Sequence, residues 1–223
     1  MKKQRLILFI TLIILLSVSA CSGRRVSASG WPGLTIADGT AYLAFGPQVF
    51  AVNASNGSLM WTYPDEPDNN LNYYAPPILT DDNQLILSSY NGGLYSLNPA
   101  NQNLNWSYEE AGGRFISSPL VTSAGIFAPS TDNKLYALDL NGNLLWEPFE
   151  TGEPIWAKPI AGDDCECVYI ASMDHYVYAV STATGEELWK TEDLGGPIVN
   201  SPAVDNGVMF VSTFANEVLA IDL

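Results

Sequence analysis

The sequence predicts an all-β protein: a β-propeller of four-stranded antiparallel blades, with four full repeats and a partial fifth. Two independent landmarks share one period. Trp61, Trp106, Trp146 and Trp189 are separated by 45, 40 and 43 residues, and Pro32, Pro77, Pro119, Pro159 and Pro202 by 45, 42, 40 and 43. A period of about 40 to 45 residues is that of one propeller blade. The third observation is a thirteen-residue pattern, KLYALDLNGNLLW at 134–146, which recurs at 49–61 (VFAVNASNGSLMW), 94–106 (LYSLNPANQNLNW) and 177–189 (VYAVSTATGEELW). A fifth copy, VLAIDL, occupies 218–223.

Residues 1–20 read as a signal peptide. Lys2, Lys3 and Arg5 form a basic start, residues 6–18 are a near-continuous apolar run, and Val18-Ser19-Ala20-Cys21 follows. That run is short of the about 20 residues a membrane helix needs. The tetrapeptide resembles a bacterial lipobox, which implies cleavage before Cys21 and lipid attachment to it. Residues 21–31 then form the anchor and a small, polar tether, and residues 32–223 the propeller repeats.

Within 32–223 each unit begins at its proline, a residue tolerated where a strand starts and no ladder hydrogen bond is required of it. The first unit is expected at 34–36, 41–45, 49–52 and 59–63; the second at 77–79, 85–88, 94–97 and 104–108. The third is expected at 120–122, 126–128, 134–138 and 144–146, and the fourth at 160, 168–171, 176–180 and 187–190. The fifth has 203–204, 208–212 and 218–221. Short runs rich in Val, Ile, Leu and Tyr, separated by Asp-Gly and Asn-Gly turns, argue for a β-meander. Leu135 and Ala137 alternate with Tyr136 and Leu138, so both faces of that strand are apolar. Such a sheet must be stacked between neighbours, which a radial array of blades provides.

Inside the repeat, Asn53, Asn98 and Asp139 can bond the turn backbone, and Gly57, Gly142 and Gly185 supply positive φ. Small residues at Ala51, Ser96, Ala137, Ala179 and Ala220 leave room for something bulky. The repeat tryptophans Trp61, Trp106, Trp146 and Trp189 are the candidates, each burying a large ring and placing its N–H on a turn carbonyl. These tryptophans and glycines are therefore read as structural docking residues and not as a ligand cage.

Loss of the leader would remove three of the nine basic residues and none of the 24 acidic ones, leaving six against 24, a formal charge of −18. So acidic a surface repels phosphate backbones, and no nucleic-acid partner is expected. Cys165-Glu166-Cys167, flanked by Asp163 and Asp164, could be two thiols, a local disulfide or a soft-metal site. The only histidine, His175, aligns with Asn133 and Gly92 at a hairpin turn and has no matching acid or nucleophile.

The pattern Ala51, Asn53, Gly57, Trp61 resembles the tryptophan-docking motif of pyrroloquinoline-quinone-type propeller repeats. It departs at Ser181 for the polar position, at Gln102 for the glycine, and in a third turn shorter by one residue. Two branches of that family are relevant. Quinoprotein dehydrogenases carry adjacent cysteines beneath the cofactor, whereas here the cysteines are not neighbours; a quinone-binding or small-molecule sensor/redox accessory module of that type is the alternative reading. The other branch, the lipoprotein of the outer-membrane barrel-assembly machinery, is a lipid-anchored propeller that binds protein partners through its loops. That resemblance implies a non-catalytic scaffold of the cell envelope, exported and facing the periplasm or cell exterior, with no cofactor and no metal. The acidic loop 65–70 (DEPDNN) and exposed tyrosines are its expected contact elements. Members of that branch close with about eight blades. The shorter repeat array here is expected to be a piece of a larger propeller, one closed by a strand from the tether, or one completed by a second chain.

Overall fold

The structure, a computed structural model, describes residues 32–163 and 165–223. The leader, Cys21 and the tether lie outside the described residues. Among the described residues nineteen strands form five antiparallel sheets, each a meander in chain order. Blade 1 is β1 (Gly33–Ala37), β2 (Thr40–Phe45), β3 (Gln48–Asn53) and β4 (Leu59–Tyr63). Blade 2 is β5 (Ile78–Leu79), β6 (Leu85–Ser88), β7 (Leu94–Leu97) and β8 (Leu104–Tyr108). Blade 3 is β9 (Leu120–Thr122), β10 (Gly125–Pro129), β11 (Lys134–Leu138) and β12 (Phe149–Glu150). Blade 4 is β13 (Ile160–Ala161), β14 (Cys167–Ala171), β15 (Val177–Ser181) and β16 (Glu187–Lys190). Blade 5 has three strands, β17 (Ala203–Asp205), β18 (Val208–Thr213) and β19 (Glu217–Asp222). Each landmark proline stands immediately before the first strand of its blade, so its missing N–H removes no ladder bond.

One expected strand is displaced. Residues 144–146 are not a strand; Leu144 makes only an isolated bridge to Leu138, and β12 forms further on, pairing Glu150 with Lys134 and Phe149 with Leu135. In the other three full blades a register shift sits beside the tryptophan, between Ala51 and Val52, Ser96 and Leu97, and Ala179 and Val180. The third turn is one residue shorter and has no residue to spare for such a bulge. Pro148 then offers no N–H, so the chain leaves the ladder and rejoins it at Phe149.

Four core clusters hold the blades together, one at each junction. Tyr42, Ala44, Val49 and Ala51 of blade 1 meet Leu85, Leu87, Tyr95 and Leu97 of blade 2. Ile86 and Leu94, from the opposite face of the same two strands, meet Ile126, Ala128, Tyr136 and Leu138 of blade 3. Phe127, Leu135 and Ala137 then meet Val168, Ile170, Tyr178 and Val180 of blade 4. Tyr169, Ala171, Val177 and Ala179 meet Met209 and Val211 of blade 5. Adjacent residues point to opposite faces of a strand, so a fully buried β6, β10 or β14 serves two junctions at once. Among the described residues blades 1 and 5 each make one such junction, and Ile36 and Val218 are 66% and 76% exposed.

Tyrosines at these junctions tie the fold to pH. Burial, and then the Glu109 carboxylate, push Tyr95 up to about 12. Burial and the hydrogen bonds to Asp132 and Asp174 raise Tyr136 and Tyr178. Unfolded tyrosines lose their protons near pH 10, before the folded ones do. The unfolded state then holds fewer protons, so this stabilisation is complete below about pH 10 and is lost as pH rises through the folded values. Urea unfolding should show a fall in stability between about pH 10 and 12, and the Tyr136→Phe, Tyr178→Phe double variant should show a shallower fall.

Candidate interaction face and blade-docking residues

In a meander the loops between second and third strands emerge at the same end as the connectors between blades. Backbone hydrogen bonds link these segments alternately across every junction. Tyr73 N–H donates to Gly46 O (2.7 Å), Tyr90 N–H to Asn72 O (2.7 Å), Phe115 N–H to Ser89 O (3.3 Å) and Thr131 N–H to Arg114 O (3.0 Å). The series continues with Ile155 N–H to Ser130 O (3.1 Å), Met173 N–H to Pro154 O (3.1 Å), Ile198 N–H to Ser172 O (3.2 Å) and Phe214 N–H to Pro197 O (2.9 Å). Two bonds per junction turn what would be loops into a continuous belt. Tyr73, Phe115, Ile155 and Ile198 sit fully buried beneath it.

Those four residues lie 42, 40 and 43 apart, each four positions ahead of a landmark proline. The sequence reading did not single them out, although they keep the same period. Two aspartates tighten the belt further. Asp174 accepts the Gly152 N–H and the Tyr178 hydroxyl through Oδ2, both at 2.7 Å, and the Tyr176 N–H through Oδ1 at 3.2 Å. Asp132 accepts the Tyr136 hydroxyl at 2.6 Å. The turns need a left-handed residue, supplied by Gly92, Asn133, His175 and Asn216 with φ of 95°, 70°, 79° and 63°. His175 is thus a turn residue, and its Nδ1 lies 3.1 Å from Asp193 on the surface.

The belt presents exposed aromatic groups on a fixed backbone. Phe214 is 66% exposed and Trp156 43%. At the junction of blades 2 and 3 Arg114, the sole arginine of the described residues, holds its guanidinium 4.7 Å above the Tyr90 ring and donates to the Tyr90 hydroxyl at 3.2 Å. Tyr90 in turn packs edge-on against Tyr74, with centroids 5.2 Å apart. The chemistry offered here is recognition: apolar rings for packing, and on a strongly acidic chain cations held over rings, Arg114 at Tyr90 and Lys190 with its Nζ 4.9 Å from the Tyr176 ring centre. The acidic loop 65–70 lies exposed after β4, where Asp68 Oδ1 accepts the N–H and the side-chain amide of Asn70, both at 2.9 Å.

The opposite end carries the repeat tryptophans. Ala51 stands opposite Trp61, Ser96 opposite Trp106 and Ala179 opposite Trp189. Trp106 covers Gly142 of the next blade, where a Cβ would lie 2.7 Å from the ring, and donates its indole N–H to Leu140 O at 2.8 Å. Trp146 covers Gly185 in the same way, at 2.5 Å, and donates to Thr182 O at 3.1 Å. Trp61 packs on Tyr42 and Trp189 on Tyr169 within their own blades. Gly57 departs from the expected docking role: among the described residues nothing stands within 4 Å of its Cβ direction. In blade 2 the repeat position equivalent to Gly142 and Gly185 is Gln102, which adopts a φ of 60°. Cys165 and Cys167 form a disulfide, which decides between the alternatives the sequence left open.

Repeated four-stranded sheets, joined face to face by apolar junctions and by a backbone belt, define a β-propeller repeat protein. The chain belongs to the family described as outer membrane protein assembly factor BamB, whose model matches residues 14–149 and 149–223. It is 26% identical over 176 residues to the outer membrane protein assembly factor BamB of Bordetella pertussis (strain Tohama I), covering 75% of this chain and 45% of that protein. It is 24% identical over 144 residues to the BamB of Taylorella asinigenitalis (strain MCE3), covering 58% of this chain and 36% of that protein. Among solved structures it is similar to BamB from Moraxella catarrhalis, with a TM-score of 0.70, 19% identity, and coverage of 85% of this chain and 56% of that one. A computationally designed protein, Ika8, is similar in fold with a TM-score of 0.73 at 9% identity, covering 85% of this chain and 57% of that one. The chain thus spans less than half the length of the Bordetella pertussis and Taylorella asinigenitalis relatives and 56% of the Moraxella catarrhalis chain.

The two glycine environments give a direct contrast. Gly142→Ala should destabilise the protein by about 2 to 4 kcal/mol, because a methyl at positive φ must also displace the Trp106 ring. Gly57→Ala, with the same backbone demand and open space, should cost about 1 to 2 kcal/mol. Urea midpoints of the two variants check the difference.

Proposed function

We propose that this chain is a non-catalytic propeller scaffold of the bacterial cell envelope, anchored by lipid at Cys21, that holds protein partners during outer-membrane protein assembly. The observation that carries this reading is the belt face, an ordered backbone presenting Arg114, Tyr90, Tyr74, Trp156 and Phe214 in a chain of this family. Aromatic residues and arginine dominate binding energy at protein interfaces. The basic start, short apolar run and lipobox-like Cys21 support export and anchoring, with residues 1–20 as the leader. In this account Trp106 and Trp146, on Gly142 and Gly185, serve as structural docking residues that keep the blades in register. The acidic loop 65–70 extends the contact surface.

Arg114 contributes more than charge. Its guanidinium is fixed by the Tyr90 ring and hydroxyl, so less side-chain freedom is lost when a partner carboxylate pairs with it. Trp156 contributes a large rigid ring at the junction of blades 3 and 4.

The full-length chain, recovered from membranes with its anchor intact, should bring down an outer-membrane assembly partner. An Arg114→Glu, Trp156→Ala double variant should recover at least about tenfold less of it, and Cys21→Ser should release the chain from membranes. Recovery of no protein partner, or equal recovery by the double variant, would refute the scaffold reading.

A further inference from the structure

The Cys165–Cys167 disulfide adds little to the scaffold as a crosslink. Its two cysteines are separated by one residue, with Cα atoms 5.2 Å apart. A crosslink stabilises chiefly by shortening the unfolded chain's loops, and that gain shrinks as the loop shortens. The hairpin it closes is held independently: β13 pairs with β14, and Gly162 N–H donates to Cys167 O at 2.9 Å. A disulfide that contributes so little to the fold calls for another explanation.

Its surroundings form a built recess. Gly162 does not adopt a left-handed conformation, so no backbone demand requires glycine there. What requires it is space, since a Cβ on Gly162 would lie 2.3 Å from the Cys165 sulfur and 2.6 Å from that of Cys167. The sulfurs are seated against the Gly162 backbone on one side. Cys165 and Cys167 are also among the residues lining an open recess of about 530 Å³ between blades 3 and 4, whose other walls include Thr122, Ala124, Leu145 and Thr182. This volume accommodates a short extended peptide segment. The two cysteines differ in exposure: Cys165 is half-buried, its sulfur 3.7 Å from the Tyr169 hydroxyl at the edge of the junction with blade 5, whereas Cys167 is 3% exposed within that junction.

We infer that Cys165–Cys167 is a thiol–disulfide exchange site for a partner polypeptide bearing two cysteine thiols, which enters through the recess between blades 3 and 4. A partner thiolate attacks the accessible Cys165 sulfur; the Cys165–Cys167 bond breaks, a partner–Cys165 bond forms, and Cys167 leaves as a thiolate that takes up a proton. The partner's second thiolate then attacks its own sulfur in the mixed disulfide, forming the partner's disulfide and releasing the Cys165 thiolate, which is protonated. In sum the partner dithiol is oxidised by two electrons, and the pair is reduced to two thiols. Each chain carries out one exchange and remains reduced until reoxidised. The flanking carboxylates of Asp163 and Glu166 favour partners with basic residues beside their cysteines. This inference does not rest on the belt face, which lies at the other end of the strands.

Glutathione and a synthetic basic peptide with two cysteines serve as probes on the full chain, with thiols located by alkylation and peptide mapping so that Cys21 does not contribute. The pair should be reduced by the peptide while the melting temperature stays within a few degrees of the oxidised protein. The peptide should appear as its disulfide in equal amount. In single variants, Cys167→Ser should capture glutathione at Cys165 about tenfold faster than Cys165→Ser captures it at Cys167. A pair that stays oxidised until the chain unfolds would overturn the inference. So would equal capture by the two variants, or reduction of the pair without formation of the peptide disulfide. Loss of partner pulldown in the Arg114→Glu, Trp156→Ala variant with exchange retained would separate this site from the scaffold reading.

Discussion

A sheet that is apolar on both faces is stable only between two neighbours, and this constraint organises the protein. In β6 the residues Leu85 and Leu87 point into one junction and Ile86 into the next, so no side of the strand is left for water. Stacking is therefore not an arrangement of finished domains but the means by which each blade acquires a core. The backbone belt follows from the same constraint. Connectors must cross each buried junction, and their amides and carbonyls need partners there, which the neighbouring turns supply.

Much of this was legible from residue types at a fixed spacing. Prolines at a period of 40 to 45 residues locate the first strand of every blade, because proline is admitted at strand starts and excluded from ladders. The register of the tryptophan hairpin was readable in three blades from the small residue opposite the ring. It failed in the third, where a turn shorter by one residue abolishes the bulge and Pro148 moves the last strand to Phe149. Periodicity cannot register a single missing residue whose effect depends on hydrogen-bond geometry. The family resemblance was likewise legible in the Ala51, Asn53, Gly57, Trp61 pattern, and the family model agrees with it.

The candidate face was harder to read. Tyr73, Phe115, Ile155 and Ile198 carry the repeat period, yet differ in type because each fills a differently shaped junction. Arg114 appears in sequence as an isolated basic residue; only the fold places it over Tyr90. The acidic loop 65–70 is legible from its charge, a surface property that needs no structure. The sharing of labour between glycines was not readable at all: Gly57, Gly142 and Gly185 occupy the same turn of the repeat with φ of 74°, 84° and 74°, but only the latter two lie under an indole.

These strands connect fold to function through rigidity, since a recognition face made of loops costs less ordering entropy when those loops already share a hydrogen-bond network. The most direct test of the account is amide hydrogen exchange in the folded protein. The belt amides of Tyr73, Phe115, Ile155, Ile198, Tyr90 and Met173 should exchange as slowly as those within β6, β10 and β14. Exchange at the rate of exposed turn amides such as Gly39 or Asn56 would contradict it and leave the face without a preformed shape.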